Sequence, residues 1–321
     1  MWPELFTIAG LPLRSFGFFV AMGFLVGVQV SGWLSKRHGT NPKTDAQHIP
    51  DVSWYVLIGV IAGARLAYVL VNLPYYLEHP GEIFMIWQGG LVMYGGMILA
   101  LVLGIWKARQ LGMHIWQTAD YCLTAAFLGQ AVGRIGCLMV GDDYGKVVPD
   151  TASGGTPWYA IRFPDPLPAG SAFPPELAGL AVHATQPYMT LKALAVFGIG
   201  MWLLPRKKFH GQVTCLLLMA YAVLRAVVEV FRGDAQARGG FYRDGLAPMD
   251  VTAKLNELGV AAPNGRIVDV EGYRELLRQG TAGVQAELLI STSQMVAIAT
   301  FTIAVILYQR LRRSTSSALP A

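Results

Sequence analysis

Seven apolar runs, each long enough to cross a bilayer, constrain this chain more than any other feature. They lie near 12–34, 52–72, 88–108, 117–139, 188–205, 212–231 and 287–309. A spanning helix needs roughly 20 apolar residues. Helices are required because a segment in lipid must satisfy its own backbone polar groups. Composition agrees: 54% of the residues are hydrophobic and only 14% charged, against about a quarter charged in soluble domains. The reading is an all-α integral membrane protein with seven transmembrane helices and a small extracytoplasmic head.

The basic residues set the orientation. Lys36, Arg37 and Lys43 follow run one, Lys107 and Arg109 run three, Arg206, Lys207 and Lys208 run five, and Arg310, Arg312 and Arg313 run seven. Such clusters face the cytoplasm, so the N-terminus is expected outside and the C-terminus inside. The net charge of +5 is thereby accounted for by topology, and a nucleic-acid partner is not expected. The start, "MWPELFTIAGLPLRSFGFF", lacks the basic opening and cleavage pattern of a removable signal peptide. Cys122, Cys137 and Cys215 all lie in apolar runs and fit neither a disulfide framework nor a zinc site.

Between the runs the chain divides as follows. Residues 1–139 carry helices one to four, with an aromatic-rich interfacial arm at 73–90. Residues 140–187, rich in Gly, Pro and Asp, form the head. Residues 188–231 carry helices five and six, 232–286 an inserted extracytoplasmic element, and 287–321 helix seven with a cytoplasmic tail. Within the insert, "MDVTAKLNELG" and "DVEGYRELLRQG" each join an Asp start to a terminal Gly, the signals of two short helices.

Ionisable groups inside spans are expensive and mark function. Arg65 lies in run two, Tyr94 among glycines in run three, Arg134 in run four, and Arg225 and Glu229 in run six. In the expected topology all fall in the outer half of the bilayer, with Gln294 at the same level. Arg225 and Glu229 are four apart, hence on one helix face and able to pair. Asp142 and Asp143, in the turn "GDDYG", are within reach of Arg134. Guanidinium groups outnumbering carboxylates call for an anion, and arginine recognises phosphate bidentately. At this depth phosphate belongs to lipid headgroups. Gly95 and Gly96 permit close approach by a ligand or another helix. No Gly-rich phosphate loop, G-x-S-x-G or metal-spaced motif occurs.

These segments, in this order, resemble the bacterial prolipoprotein diacylglyceryl transferases. The resemblance rests on "GARLAYVL", "HPGEIFMIWQGGLVMYGG", "GRIGC" with "GDDYG", "HATQPYM", "LRAVVEVFRGDAQ" and "STSQ". It implies an enzyme of the bacterial cytoplasmic (inner) membrane, acting in the outer half of the bilayer. It would move the diacylglyceryl group of phosphatidylglycerol onto the lipobox cysteine of a preprolipoprotein and release glycerol-1-phosphate, without cofactor or metal. The resemblance gives catalytic roles to Arg134, Arg225, Glu229 and Tyr94. It places Arg65, Tyr68, Gly95, Gly96, Asp142, Gly145, His183, Gln186, Arg232 and Gln294 beside the substrates. Tyr94 stands where the family has histidine, Cys137 and Val140 where it has asparagines, Asp142 for a glutamate, Phe16 for a tyrosine and Met189 for a glutamate. Tyr94 or Asp142 is the candidate for the thiol proton. Two other readings stay open: a related phospholipid-dependent transferase with a different acceptor, and a non-enzymatic transporter of anionic lipid.

Overall fold

The computed structural model describes residues 1–8, 11–85, 89–151, 154–234 and 239–316. Residues 86–88 of the expected arm and 235–238 of the insert lie outside this set. The chain opens on a hairpin, β1 (Glu4–Ile8) against β2 (Leu11–Arg14). Helices α1 (Ser15–His38) and α2 (Pro42–Val71) follow. Lys36, Arg37 and His38 fill the last turn of α1, where cations complement the helix dipole. Pro42 opens α2, a position where its missing N–H costs nothing. The arm is α3 (Leu73–Glu78) and a 3₁₀ turn at Pro80–Phe84. Next come α4 (Met93–Gln110) and α5 (Ile115–Val140).

Beyond α5 the chain forms β3 (Ala160–Arg162) and β4 (Ala181–His183), which pair antiparallel. Helices α6 (Thr185–Leu203) and α7 (Gln212–Glu229) follow. The insert contains β5 (Gly240–Tyr242), α8 (Pro248–Glu257) and α9 (Val270–Arg278). Strand β6 (Leu288–Ser291) pairs with β5 and leads into α10 (Thr292–Ser316). The two short helices of the insert are where their start and stop signals put them. Asp269 caps α9 by accepting from Gly272 N. Asp250 instead sits inside the first turn of α8, behind Pro248.

Among the described residues, six helices are long and apolar enough to cross a membrane: α1, α2, α5, α6, α7 and α10. The expected third span, 88–108, becomes α4, whose helical residues begin only at Met93 and whose last turn is already polar with Lys107 and Arg109. At 1.5 Å per residue its 18 residues reach about 27 Å, but its apolar stretch is shorter.

By contact the chain forms two units: residues 1–26, 127–201 and 215–321 in one, and 27–126 with 202–214 in the other. In the second, α2 packs on α4 through small residues. A Cβ on Gly63 would lie 2.6 Å from Leu99 Cβ, and one on Gly96 2.6 Å from Val60 O. In the first, the head and the insert share one hydrophobic core. Phe163, Phe173, Leu177, Leu180 and Val182 pack with Val251, Leu255, Tyr273, Leu277 and Val284. Arg274 ties them further by donating to the carbonyls of Pro175 and Glu176. The insert is therefore a built part of the head.

Candidate active site

In the first unit three arginines gather at one end of α5 and α7. Helix α5 stops because Gly141, at φ +79°, adopts the left-handed conformation and donates to Cys137 O. The turn continues through Asp143, itself at φ +56°, which brings its carboxylate back over the last turns of the helix. There Asp143 accepts from Arg134 through one oxygen and faces Arg232 with the other. Arg232 also grips Asp234, with Nε donating to Oδ1 at 2.9 Å. Arg225 pairs with Glu229 at 2.9 Å and donates to Ser293 Oγ at 3.0 Å. Arg225 lies within electrostatic range of both Arg134 and Arg232.

The expected surplus of guanidiniums over carboxylates is smaller than the sequence implied, because Asp143 engages Arg134 and Arg232, Asp234 engages Arg232 and Glu229 engages Arg225. Capacity for an anion remains in specific N–H groups. Arg134 spends only Nη1, on Asp143 and on Cys137 Sγ at 3.8 Å, leaving Nε and Nη2 without a hydrogen bond among the described residues. Arg225 Nη1 is buried with no partner there. Gln130, one turn before Arg134 on the same face, also buries an unpartnered Oε1.

Outside the helices the charges are tuned by these contacts. Burial works to raise the Asp143 carboxyl, but Arg232 and Arg134 outweigh it and hold it below the ordinary value. Burial and then the charge of Asp143 push the Asp142 carboxyl up, which suits it to take a proton. Burial lowers Arg232, and its bond to Asp234 and the charge of Asp143 raise it by more.

The start of α6 fixes the turn. Thr185 Oγ1 donates to Asp143 O and Gln186 Nε2 to Asp142 O at 2.7 Å. Gly145 is a crossing point: a side chain there would collide with the backbone of His183, and its strand bridges Arg232. The His183 ring lies among those of Tyr159, Tyr188 and Phe231, its Nδ1 buried without a hydrogen-bond partner among the described residues. Burial and Lys146 lower its pKa, favouring the neutral ring.

Gln294 caps a helix. Its Oε1 accepts from Ser291 N at 2.9 Å while its N–H meets Ser291 Oγ at 3.1 Å. That is a capping box at the start of α10, a pattern legible in "STSQ".

Arg65, Tyr68, Tyr94, Gly95 and Gly96 belong to the second unit. Arg65 donates Nε to Ile83 O at 2.8 Å, Nη1 to Gly89 O at 2.9 Å and Gly90 O at 3.2 Å, and Nη2 to Glu82 O. Tyr68 and Tyr76 flank it. This buried cation pins the arm to α2. Gly95 and Gly96 lie against α2, where a Cβ on Gly95 would sit 2.5 Å from Gly63 O; helix packing explains both. Tyr94, beside them, is exposed.

A cavity of about 390 Å³ opens beside Asp142, lined by Glu4, Arg14, Phe16, Gly17, Val140 and Ala172. Its walls do not include Arg134, Arg225 or Arg232. Cys137, Asp142 and Asp143 hold potential ligand atoms within 4.8 Å of one another. Both oxygens of Asp143 already face guanidiniums, so this set does not fit a metal ion. Sequence reading missed Ser293, Asp234 and Lys192. The last was detectable as a lysine inside an apolar run.

The family model described as prolipoprotein diacylglyceryl transferase matches residues 3–310. The phosphatidylglycerol–prolipoprotein diacylglyceryl transferase of Proteus mirabilis is 32% identical over 250 residues, 73% of this chain and 82% of the relative. That of Geobacter sulfurreducens is 32% identical over 237 residues, 73% and 84%. That of Yersinia enterocolitica is 29% identical over 263 residues, 77% and 86%. With a family match across nearly its whole length, this chain belongs to the prolipoprotein diacylglyceryl transferase family.

Proposed function

We propose that the chain transfers the diacylglyceryl group of phosphatidylglycerol to the thiol of a lipobox cysteine in a preprolipoprotein, releasing glycerol-1-phosphate. The cysteine sulfur attacks as a thiolate. The S–C bond forms on the glyceryl carbon, the C–O bond to phosphate breaks, and its electron pair goes to the phosphate oxygen. A phosphodiester monoanion becomes a monoester with a second negative charge, and the thiol proton passes to a base. The observation that carries this reading is the pair of incompletely used guanidiniums, Arg134 and Arg225, within electrostatic range of each other. Fixed donors aimed at developing charge are the largest catalytic term in many enzymes. Asp143 and Glu229 orient them. Asp142, with its raised carboxyl, is the base we favour over Tyr94.

We further propose seven spans, α4 supplying the third, with the N-terminus outside, the C-terminus inside and the arginine cluster in the outer half of the inner membrane. The test is transfer from labelled phosphatidylglycerol to a lipobox peptide by the purified protein, with a Cys→Ser peptide as control. Arg134→Ala is expected to lower kcat by at least about 100-fold while the protein stays folded. Unchanged transfer by Arg134→Ala would overturn the assignment. Transfer to other thiol acceptors but not to a lipobox peptide would replace the acceptor.

A further inference from the structure

Lys192 has no role in the chemistry described so far, yet it is the least explained charge in the molecule. It lies in α6 and is 5% exposed. Its Nζ has no hydrogen-bond acceptor and no carboxylate at ion-pair distance among the described residues. The ring of Tyr221, 4.2 Å away, lies beneath it. A cation–π contact is worth about 2 kcal/mol when desolvated, whereas burying an unpaired ammonium costs several kcal/mol. The ring alone does not compensate for burial, so an acceptor is missing.

Its surroundings define that acceptor. Arg225 and Glu229 from α7, Arg134 from α5 and Asp143 from the turn all lie within electrostatic range of Lys192. The two carboxylates are committed, Asp143 to Arg134 and Arg232 and Glu229 to Arg225. The depths match as well. Thr185 and Gln186 bond the turn at 142–143, so the start of α6 and the end of α5 lie together. At 1.5 Å per residue, Lys192 is about 10 Å into α6 from Thr185, and Arg134 is about 9 Å from the end of α5. Arg225 Nη1 is a second buried donor without an acceptor. Two cationic donors lacking acceptors, in electrostatic contact, fit an anionic oxygen supplied from outside the chain.

We propose that Lys192 is a third cationic ligand of the donor's phosphate, matched to the second charge that appears when the C–O bond breaks. This rests on the phosphatidylglycerol-dependent reading above. It also gives one α6 position a specificity role, favouring a phosphate monoester over a diester.

The experiment uses the full-length protein in detergent with Lys192→Met and Lys192→Arg. In the transfer assay Lys192→Met is expected to lose on the order of 100-fold in kcat/KM, and Lys192→Arg to recover much of it. Thermal stability of Lys192→Met should be held or raised, because an unpaired buried charge has been replaced by an apolar chain. Calorimetric binding gives a readout without turnover. The wild type should bind glycerol-1-phosphate more tightly than the diester glycerophosphoglycerol, and Lys192→Met should lose that preference. Wild-type kcat/KM or an undiminished preference in Lys192→Met overturns the proposal. So does a parallel loss of stability and activity with the binding preference intact. If the wild type fails to transfer from phosphatidylglycerol, the functional reading falls. The binding comparison still decides Lys192.

Discussion

Asp143 illustrates how one residue organises the site. Its left-handed backbone, rare outside glycine, turns a carboxylate between Arg134 and Arg232. Its pKa is held below the ordinary 3.8. A depressed carboxyl stabilises fully above its unfolded value, and that contribution is lost as pH falls through the folded value. The cluster is therefore intact at neutral pH and weakens only below about pH 4. Asp143→Asn is expected to cost about 3–5 kcal/mol at pH 7, since it leaves two buried guanidiniums short of a partner. Thermal unfolding in detergent at pH 7 and about pH 2.5 checks this: the difference between wild type and variant should shrink on acidification. That Asp143, and not Asp142, takes the central place was not legible in "GDD". The choice depends on a φ angle set by the turn, and both residues carry the same chemistry.

At the scale of elements, the arm shows how a charged residue in a span can be structural. The family resemblance places Arg65 beside the substrates, and the structure shows what else it holds. Its donors go to the carbonyls of residues 82, 83, 89 and 90. Arg65→Met should free the arm from α2. The expected outcome is faster amide hydrogen exchange at residues 89–92, where Val92 N donates to Ala64 O, with exchange in α10 unchanged. Unaltered exchange at 89–92 would show that the aromatic contacts alone hold the arm. Gly95 and Gly96 belong to the same lesson. Their spacing in "MYGG" reads equally as ligand approach or helix packing, and only the position of α2 decides.

For the whole molecule, the insert changes what the head is. Separate stretches of sequence, 140–187 and 232–286, contribute to one core. Leu277→Ala is expected to lower stability by about 2–5 kcal/mol, measured as a drop in thermal midpoint. A negligible change would mean that the insert folds independently of the head. The proposed topology has its own check. A C-terminal green fluorescent protein fusion should fluoresce and a C-terminal alkaline phosphatase fusion should be inactive. The reverse pattern would invert every assignment of inside and outside.

The sequence alone determined that this is a helical membrane protein, because apolar length is a local property and lipid admits few backbone solutions. It also determined the Arg225–Glu229 pair, since four residues of helix fix that geometry, and the family, through the order of its motifs. Tertiary structure alone decided which carboxylate serves which arginine, that Arg65 binds the carbonyls of the arm, and that Lys192 stands buried without an acceptor among the described residues. Those facts depend on groups brought together from distant parts of the chain. Hydrogen-bond partnership across helices depends on the angle and depth at which they pack, which no local pattern encodes.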